Sequence, residues 1–246
     1  MDLGDGAGAR LAWPGTKIVA RFNGTSAEAT LKDTAGFGGG PNYFDVTVDG
    51  VLQTPPLQLN AGTSTYTLAT GLQAGPHTVE LYKRTEPQQG TTQLISLNFP
   101  AGGQLLAPPA AKGRLIEFLS ESTFDGFGVD GNGPNCPGGA PAYTHNAHRS
   151  FPQLLADAVS SDVSLLGYSG KGITKNASAG DPDTFDVLFP RALPETAGNL
   201  WDFNRATPDA VISVLGGEDY SPPAAANFNT FLDQVPLVVC NKRVIE

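Results

Sequence analysis

The feature that most constrains this chain is a change of texture at residues 99–113, FPAGGQLLAPPAAKG. Its Pro and Gly content predicts a linker, and the segments on either side follow different hydrophobic periods. Before it, TKIVARF (16–22), AEATLKD (27–33), YFDVTVDG (43–50), STYTLAT (64–70) and HTVELYKR (77–84) are rich in β-forming residues and partly alternating. Gly, Pro and Asn punctuate them, and VDG at 48–50 is a hairpin signal. Short strands at this spacing predict an all-β sandwich of jelly-roll type. After the break, RLIEFL (114–119), DVSLLGY (162–168), DAVISVLG (209–216) and VPLVV (235–239) are apolar runs, with helices expected at RSFPQLLADAVSS (149–161) and PAAANFNTFLDQ (223–234). Strands buried on both faces with helices between them imply a parallel, flavodoxin-like α/β sheet. The expected domains are therefore a sandwich over 1–108 and an α/β domain over 113–246.

Charge and composition remove several function classes. The 246 residues carry a formal charge of −9 and no basic run, which argues against nucleic acid, because neutralising phosphates needs clustered Lys and Arg. No stretch approaches the ~18 apolar residues of a membrane span. MDLGDGAGAR lacks the apolar core of a signal peptide. Cys136 and Cys240 allow one disulfide at most, and two buried thiols fit equally. The histidines, His77, His145 and His148, have no metal-ligand spacing with these cysteines, so no metal or cofactor is expected. Gly126, Gly128 and Gly131 match the spacing of a dinucleotide loop. They lead into NGPNCPGGAP, which cannot be a helix, so that reading fails.

In parallel α/β sheets ligands bind at the carboxyl ends of the strands. Three segments are expected to converge there: SES at 120–122, the loop after Tyr168 and the loop after Leu215. Local sequence leaves several of these residues two readings. Ser122 is a nucleophile or a serine capping a turn. Gly172 reads as a residue needed for turn geometry. Trp201 reads as core. Glu218 and Asp219 are solvated loop acids or the start of a helix cap. Lys171 reads as a surface residue or one that steers anionic groups, and His145 and His148 as solvent-facing, with one of them able to reach the crevice as the alternative.

Together, the strand ending in Ser122, YSGKG (168–172) and PDAVISVLGGED (208–219) resemble the SGNH (GDSL) hydrolases. GTKIVARFNGTSAEATLKD (15–33), NYFDVTVDG (42–50) and GPHTVELYKRTE (75–86) look like jelly-roll motifs of carbohydrate esterase family 2. That resemblance implies a jelly roll joined to an SGNH hydrolase domain that removes O-acetyl groups from plant cell-wall polysaccharide. It places the family nucleophile on Ser122, the oxyanion glycine on Gly172 and the oxyanion asparagine on Glu218. Trp201 falls near an aromatic position beside the acetyl-sugar cleft. Secretion is implied by the substrates alone.

Three departures from the family pattern are expected to matter. Gly-Asp-Ser has become Ser120-Glu121-Ser122, and a turn displaced by about 1 Å can cost roughly 10²-fold. Glu218, when ionised, only accepts hydrogen bonds and would face the developing negative charge, whereas protonated it could donate. The family draws its base from a late Asp-x-x-His segment, and CNKRVIE holds no histidine. The hydrolase domain is thus expected to lack its C-terminal part. The function implied is O-deacetylation of xylan or glucomannan, weakened or lost. The alternatives are an inactive carbohydrate-binding protein and a truncated gene product without function. The oligomeric state is unknown from sequence.

Overall fold

Why the first hundred residues become sheet is visible in β2 (Lys17–Gly24), where Ile18, Ala20 and Phe22 point inward and the residues between them are exposed or half-buried. A period of two buries one face only, which suits a strand in a sandwich. The same holds in β3 (Ala27–Ala35) for Ala27, Ala29 and Leu31. With β1 (Arg10–Leu11), β4 (Tyr43–Val48), β5 (Val51–Leu52), β6 (Leu57–Gln58), β7 (Gly62–Ala69), β8 (Gly75–Lys83), β9 (Gly90–Asn98) and β10 (Gln104–Leu105), they make two sheets. This is a computed structural model, and it describes residues 1–2, 6–133 and 140–219.

One sheet runs β1-β9-β3-β7 and the other β10-β2-β8-β4-β5, with β6 also on β4; all pairings are antiparallel. Their inner faces share one core, in which the small alanines of β3 sit with Phe22, Phe44, Val79 and Leu81. Truncating Phe22, fully buried here, is the kind of change that costs about 3–5 kcal/mol. The β4–β5 hairpin turns on Asp49 and Gly50, both at positive φ (51° and 80°). That backbone is what the VDG signal announced. The expected linker is not wholly unstructured: β10 lies inside it and pairs with β2, Leu105 opposite Phe22. This pairing is carried by backbone, with Leu105 exposed, so no hydrophobic pattern marks it.

Beyond it, β11 (Leu115–Ser120), β12 (Asp162–Gly167) and β13 (Ala210–Val214) form a parallel sheet in the order β12-β11-β13. Phe118 lies level with Leu165 and Ile212. Helix α2 (Phe151–Ala158) packs Leu155 against one face, with Ile116, Phe118 and Val163. On the other face Leu119 and Val211 pack with Phe185 of α3 (Phe185–Leu188) and with Phe189. Both faces are covered, which is why these strands read as apolar runs. The segments expected at 223–234 and 235–239, and both cysteines, lie outside the described residues.

The sandwich and the parallel sheet are joined through the exit of β8. Tyr82 packs with Phe118, Ala147 and Leu165, and its hydroxyl donates to the carbonyl of Ala147 at 3.2 Å. Arg84 is buried and donates to Asp45 (2.8 Å), to Asp130 and to the carbonyl of His145 (3.1 Å). From the other side, Trp13 packs on Tyr168 and Leu188 and donates to the carbonyl of Arg191 at 3.1 Å.

Candidate active site

β11 ends at Ser120, Glu121 stays extended (φ −109°, ψ −179°), and the chain turns at once into a single helical turn, α1 (Ser122–Asp125). Gly126 ends it in the left-handed conformation (φ 94°). A Cβ there would lie 2.4 Å from the backbone of Asn146, so only glycine fits. Ser122 is thus the first residue of a sharp strand-to-helix turn, half-buried, and its hydroxyl makes no hydrogen bond among the described residues.

The loops expected beside it are tied to this turn and to each other. Glu121 Oε1 accepts from the N–H of Gly217 at 2.7 Å. Burial pushes the Glu121 carboxyl up; the N–H groups of Gly217 and Glu218 oppose this, and the charge of Glu218 adds to it. Two residues on, Asp219 takes four donors from the next loop: the N–H of Ile173 (2.8 Å), the N–H and hydroxyl of Thr174 (2.6 and 2.7 Å) and the N–H of Lys175 (3.3 Å). Burial alone would raise its pKa, but these donors outweigh it and hold the carboxyl low. The structure therefore brings the turn of Ser122, the loop of Gly172 and the loop of Glu218 together at the strand ends.

Gly172 has a packing reason to be glycine, since a Cβ would lie 2.3 Å from the carbonyl oxygen of Lys175 and 2.9 Å from Asp219 Oδ2. Its N–H donates to Asn176 Oδ1 at 3.2 Å. Trp201 stands elsewhere. It lines a cavity of about 410 Å³ with Trp13, Lys17, Glu117, Phe189 and Arg191, and none of Ser122, Gly172 or Glu218 is in its walls. The cavity runs along 115–117 and 162–166, toward the starts of the strands rather than their carboxyl ends.

The expectation of a surface histidine is corrected for His145, while His148 stays partly exposed. His145 is buried, its Nε2 bonds the carbonyl of Ala140 at 3.0 Å, and its ring packs on Phe127. Burial pushes its pKa down to about 4. His148 stacks on Tyr82 and bonds Asp45 Oδ2 at 2.9 Å. His77 lies in the sandwich, on Asp49. Lys171 is also buried, against expectation, and is held by Asp181 at 2.5 Å and the carbonyl of Asp183 at 2.8 Å. An Asp ten residues away in a Gly- and Pro-rich loop has no period that would reveal such a pair. Among the described residues no group of three or more His, Cys, Asp or Glu is placed to hold a metal ion.

Glu121 and Asp219 join the site from outside the set of residues expected to carry it. The sequence offered Glu121 only as a disturbance within the altered Gly-Asp-Ser motif and Asp219 only as a loop acid or cap residue.

A β-sandwich followed by a parallel sheet with a serine at such a turn defines a class of two-part hydrolase-like proteins, and comparison narrows it. The profile of the Carbohydrate esterase 2 N-terminal family matches residues 1–109. The solved structure of a family two carbohydrate esterase from Clostridium thermocellum, in complex with cellohexaose, superposes with a TM-score of 0.86 at 30% identity, covering 95% of this chain and 71% of that one. The chain belongs to carbohydrate esterase family 2. Cellulase/esterase CelE of Acetivibrio thermocellus is 32% identical over 248 residues, which is 100% of this chain and 28% of that protein. An acetylxylan esterase / glucomannan deacetylase of Cellvibrio japonicus is 27% identical over 228 residues, 89% of this chain and 60% of that protein. The chain thus spans less than two thirds of the length of either curated relative.

Proposed function

We propose that the chain is a serine carbohydrate esterase that removes O-acetyl groups from plant cell-wall polysaccharide, xylan or glucomannan, outside the cell. The two units are taken as 1–108 and 113–246. The observation that carries this reading is the Glu121–Gly217 bond of 2.7 Å, which anchors the turn of Ser122 beside the loop of Glu218. In this reading the Ser122 hydroxyl attacks the acetyl carbonyl, and the N–H groups of Ser122 and Gly172 receive the oxyanion. To do so Gly172 exchanges the neutral oxygen of Asn176, at 3.2 Å, for a charged one. Collapse of the oxyanion breaks the ester bond and expels the sugar as its alcohol, which takes up the proton that Ser122 gives up. Water then releases acetate from Ser122. In the same reading Glu218 replaces the family's oxyanion asparagine, and an ionised carboxylate in that place would only accept hydrogen bonds and slow turnover. Trp201 offers an aromatic wall to a sugar ring in its own cavity.

A second reading, binding of polysaccharide without cleavage, is favoured by the histidines. Each of the three is engaged away from Ser122 among the described residues, so the base is not supplied by them. The relative crystallised with cellohexaose supports oligosaccharide binding in either reading. The experiment measures acetate release from acetylated xylan and glucomannan by the chain and by Ser122→Ala, with calorimetric titration of xylo- and cello-oligosaccharides. Release that is lost in Ser122→Ala supports the esterase. Equal release by both overturns the nucleophile assignment. Binding without release selects the second reading.

A further inference from the structure

The stretch YKRTE, residues 82–86, leaves β8 and is buried along its whole length, although every side chain in it is polar or carries a polar group. Tyr82 and Arg84 cross to the 145–147 segment, and Tyr82 also packs on the parallel sheet. Lys83 Nζ donates to the carbonyl (2.6 Å) and hydroxyl (3.1 Å) of Thr85, and Thr85 donates to Asn42 at 2.6 Å. Glu86 crosses as well, but to the loop after β12 and with both carboxylate oxygens.

Both Glu86 oxygens accept from one residue there. Ser169 gives its hydroxyl to Oε1 at 2.7 Å and its N–H to Oε2 at 2.8 Å. Ser169 opens the loop that contains Gly172. Gln88 Nε2 also donates to Glu86 Oε2, at 3.3 Å, and the Glu86 carboxyl interacts with that of Asp125, the last residue of α1 and three after Ser122. Asp125 is fully buried; Oδ1 accepts the N–H of Phe127 at 3.2 Å, and no N–H or O–H of the described residues reaches Oδ2. Two carboxyl groups cannot hydrogen-bond each other unless one holds a proton. With the Glu86 oxygens already accepting and Oδ2 lacking a donor, the proton belongs on Asp125 Oδ2, given to Glu86. Burial and the Glu86 charge both push the Asp125 pKa far up, in agreement. Asp125 is packed hard against the end of β12: a Cβ at Gly167 would lie 2.4 Å from Asp125 Cβ. The cation near it is Lys83.

We infer that Glu86, a residue of the sandwich, is a positioning residue for the Ser122 site: ionised, it fixes the loop of Gly172 through Ser169 and the turn of Ser122 through a proton shared with Asp125. This rests on the reading of Ser122 as nucleophile, and it gives the sandwich a part in the site beyond packing. One buried side chain sets the distance between the attacking hydroxyl and the oxyanion loop.

The test compares the whole chain with Asp125→Asn and Glu86→Gln. The wild-type-minus-Asp125→Asn infrared difference spectrum at neutral pH, in which the partly protonated Glu117 cancels, is expected to show the carbonyl band of a neutral carboxylic acid, with the variant's melting temperature within a few degrees of the wild type's. Glu86→Gln leaves Ser169 two donors for one oxygen. Its kcat for acetate release is expected to fall at least ~10-fold with KM within about two-fold. Amide exchange over 121–126 and 169–172 is expected to speed up in the same variant. Absence of that band from the difference spectrum overturns the shared proton. Unchanged kcat and unchanged exchange in Glu86→Gln overturn the positioning role. A wild type without acetate release that still shows the band and the exchange response sinks the esterase reading and leaves the coupling standing.

Discussion

Glu121 Oε1 receives the N–H of Gly217 at 2.7 Å, so the residue before the candidate nucleophile is bonded to the loop that closes the site from the other side. The sequence suggested that a glutamate, one methylene longer than the family's aspartate, would disturb the turn. The extra length instead spans to the loop after β13. Glu121→Ala removes that tie without emptying the core. It should lower acetate release by about 10²-fold while costing no more than about 1–2 kcal/mol of stability. Glu121→Gln keeps an acceptor for Gly217 and should lose far less. Initial rates on acetylated xylan, beside denaturant melts, separate the two effects.

Asp219 clamps the 173–175 backbone with four donors, which hold its carboxyl below the usual carboxylate value. A depressed folded pKa contributes stability above the unfolded value of about 3.9 and loses it as pH falls through the folded value. Asp219→Asn turns one oxygen into a donor that faces other donors, and should cost about 2–4 kcal/mol at pH 7. The gap between wild type and variant should be constant above about pH 5 and narrow below about pH 4. Urea melts at three pH values read this directly. A gap that does not change with pH would mean that the charge of Asp219 is not what holds the loop.

Much of the fold was legible because side-chain period and burial agree. AEATLKD buries alternate residues in β3, and DVSLLGY is covered on both faces as β12. β9 was not among the strands named, although it lies between β1 and β3. It opens on Gly-Thr-Thr-Gln, and a β-bulge between Thr30 and Leu31 breaks the alternation opposite it. The site was legible only where backbone topology decides it, as in the convergence of the loops at 122, 172 and 218. What escaped depends on side chains that reach across it: Glu121 to Gly217, Asp219 to Ile173 and Glu86 to Ser169. Such contacts join residues 46 to 96 positions apart, with no local period to reveal them.

Lys83 is a cation without exposure, and burial pushes its pKa down to about 7, against the opposing pull of Asp33 and Glu86. Because the unfolded lysine titrates near ~10.4, the unfolded chain binds more protons between pH 7 and about 10. Stability from this group therefore rises with pH in that window, by up to about 1.4 kcal/mol per unit. In Lys83→Met that slope should vanish, whatever the level lost through the freed Thr85 carbonyl. The difference between the two chains, from melts at pH 7, 8.5 and 10, cancels groups common to both. Parallel curves would show that Lys83 stays charged inside the protein.

Glu117 carries the opposite sign. It lies mid-strand in β11, level with Ser164 and Val211, and lines the cavity that holds Trp201. Burial pushes its pKa up to about 7, and the hydroxyl of Ser164, donating at 3.0 Å, only partly offsets this. The folded chain then holds a proton that the unfolded chain releases near ~4.3. Stability from this group falls as pH rises from about 4.3 to 7 and is level above that. Glu117→Gln keeps the shape and an acceptor for Ser164 while removing the charge. It should match the wild type at pH 4 and exceed it by about 1–3 kcal/mol at pH 8, read by thermal or urea melts. A variant less stable than the wild type at pH 8 would mean that the ionised carboxylate has found a partner in that cavity.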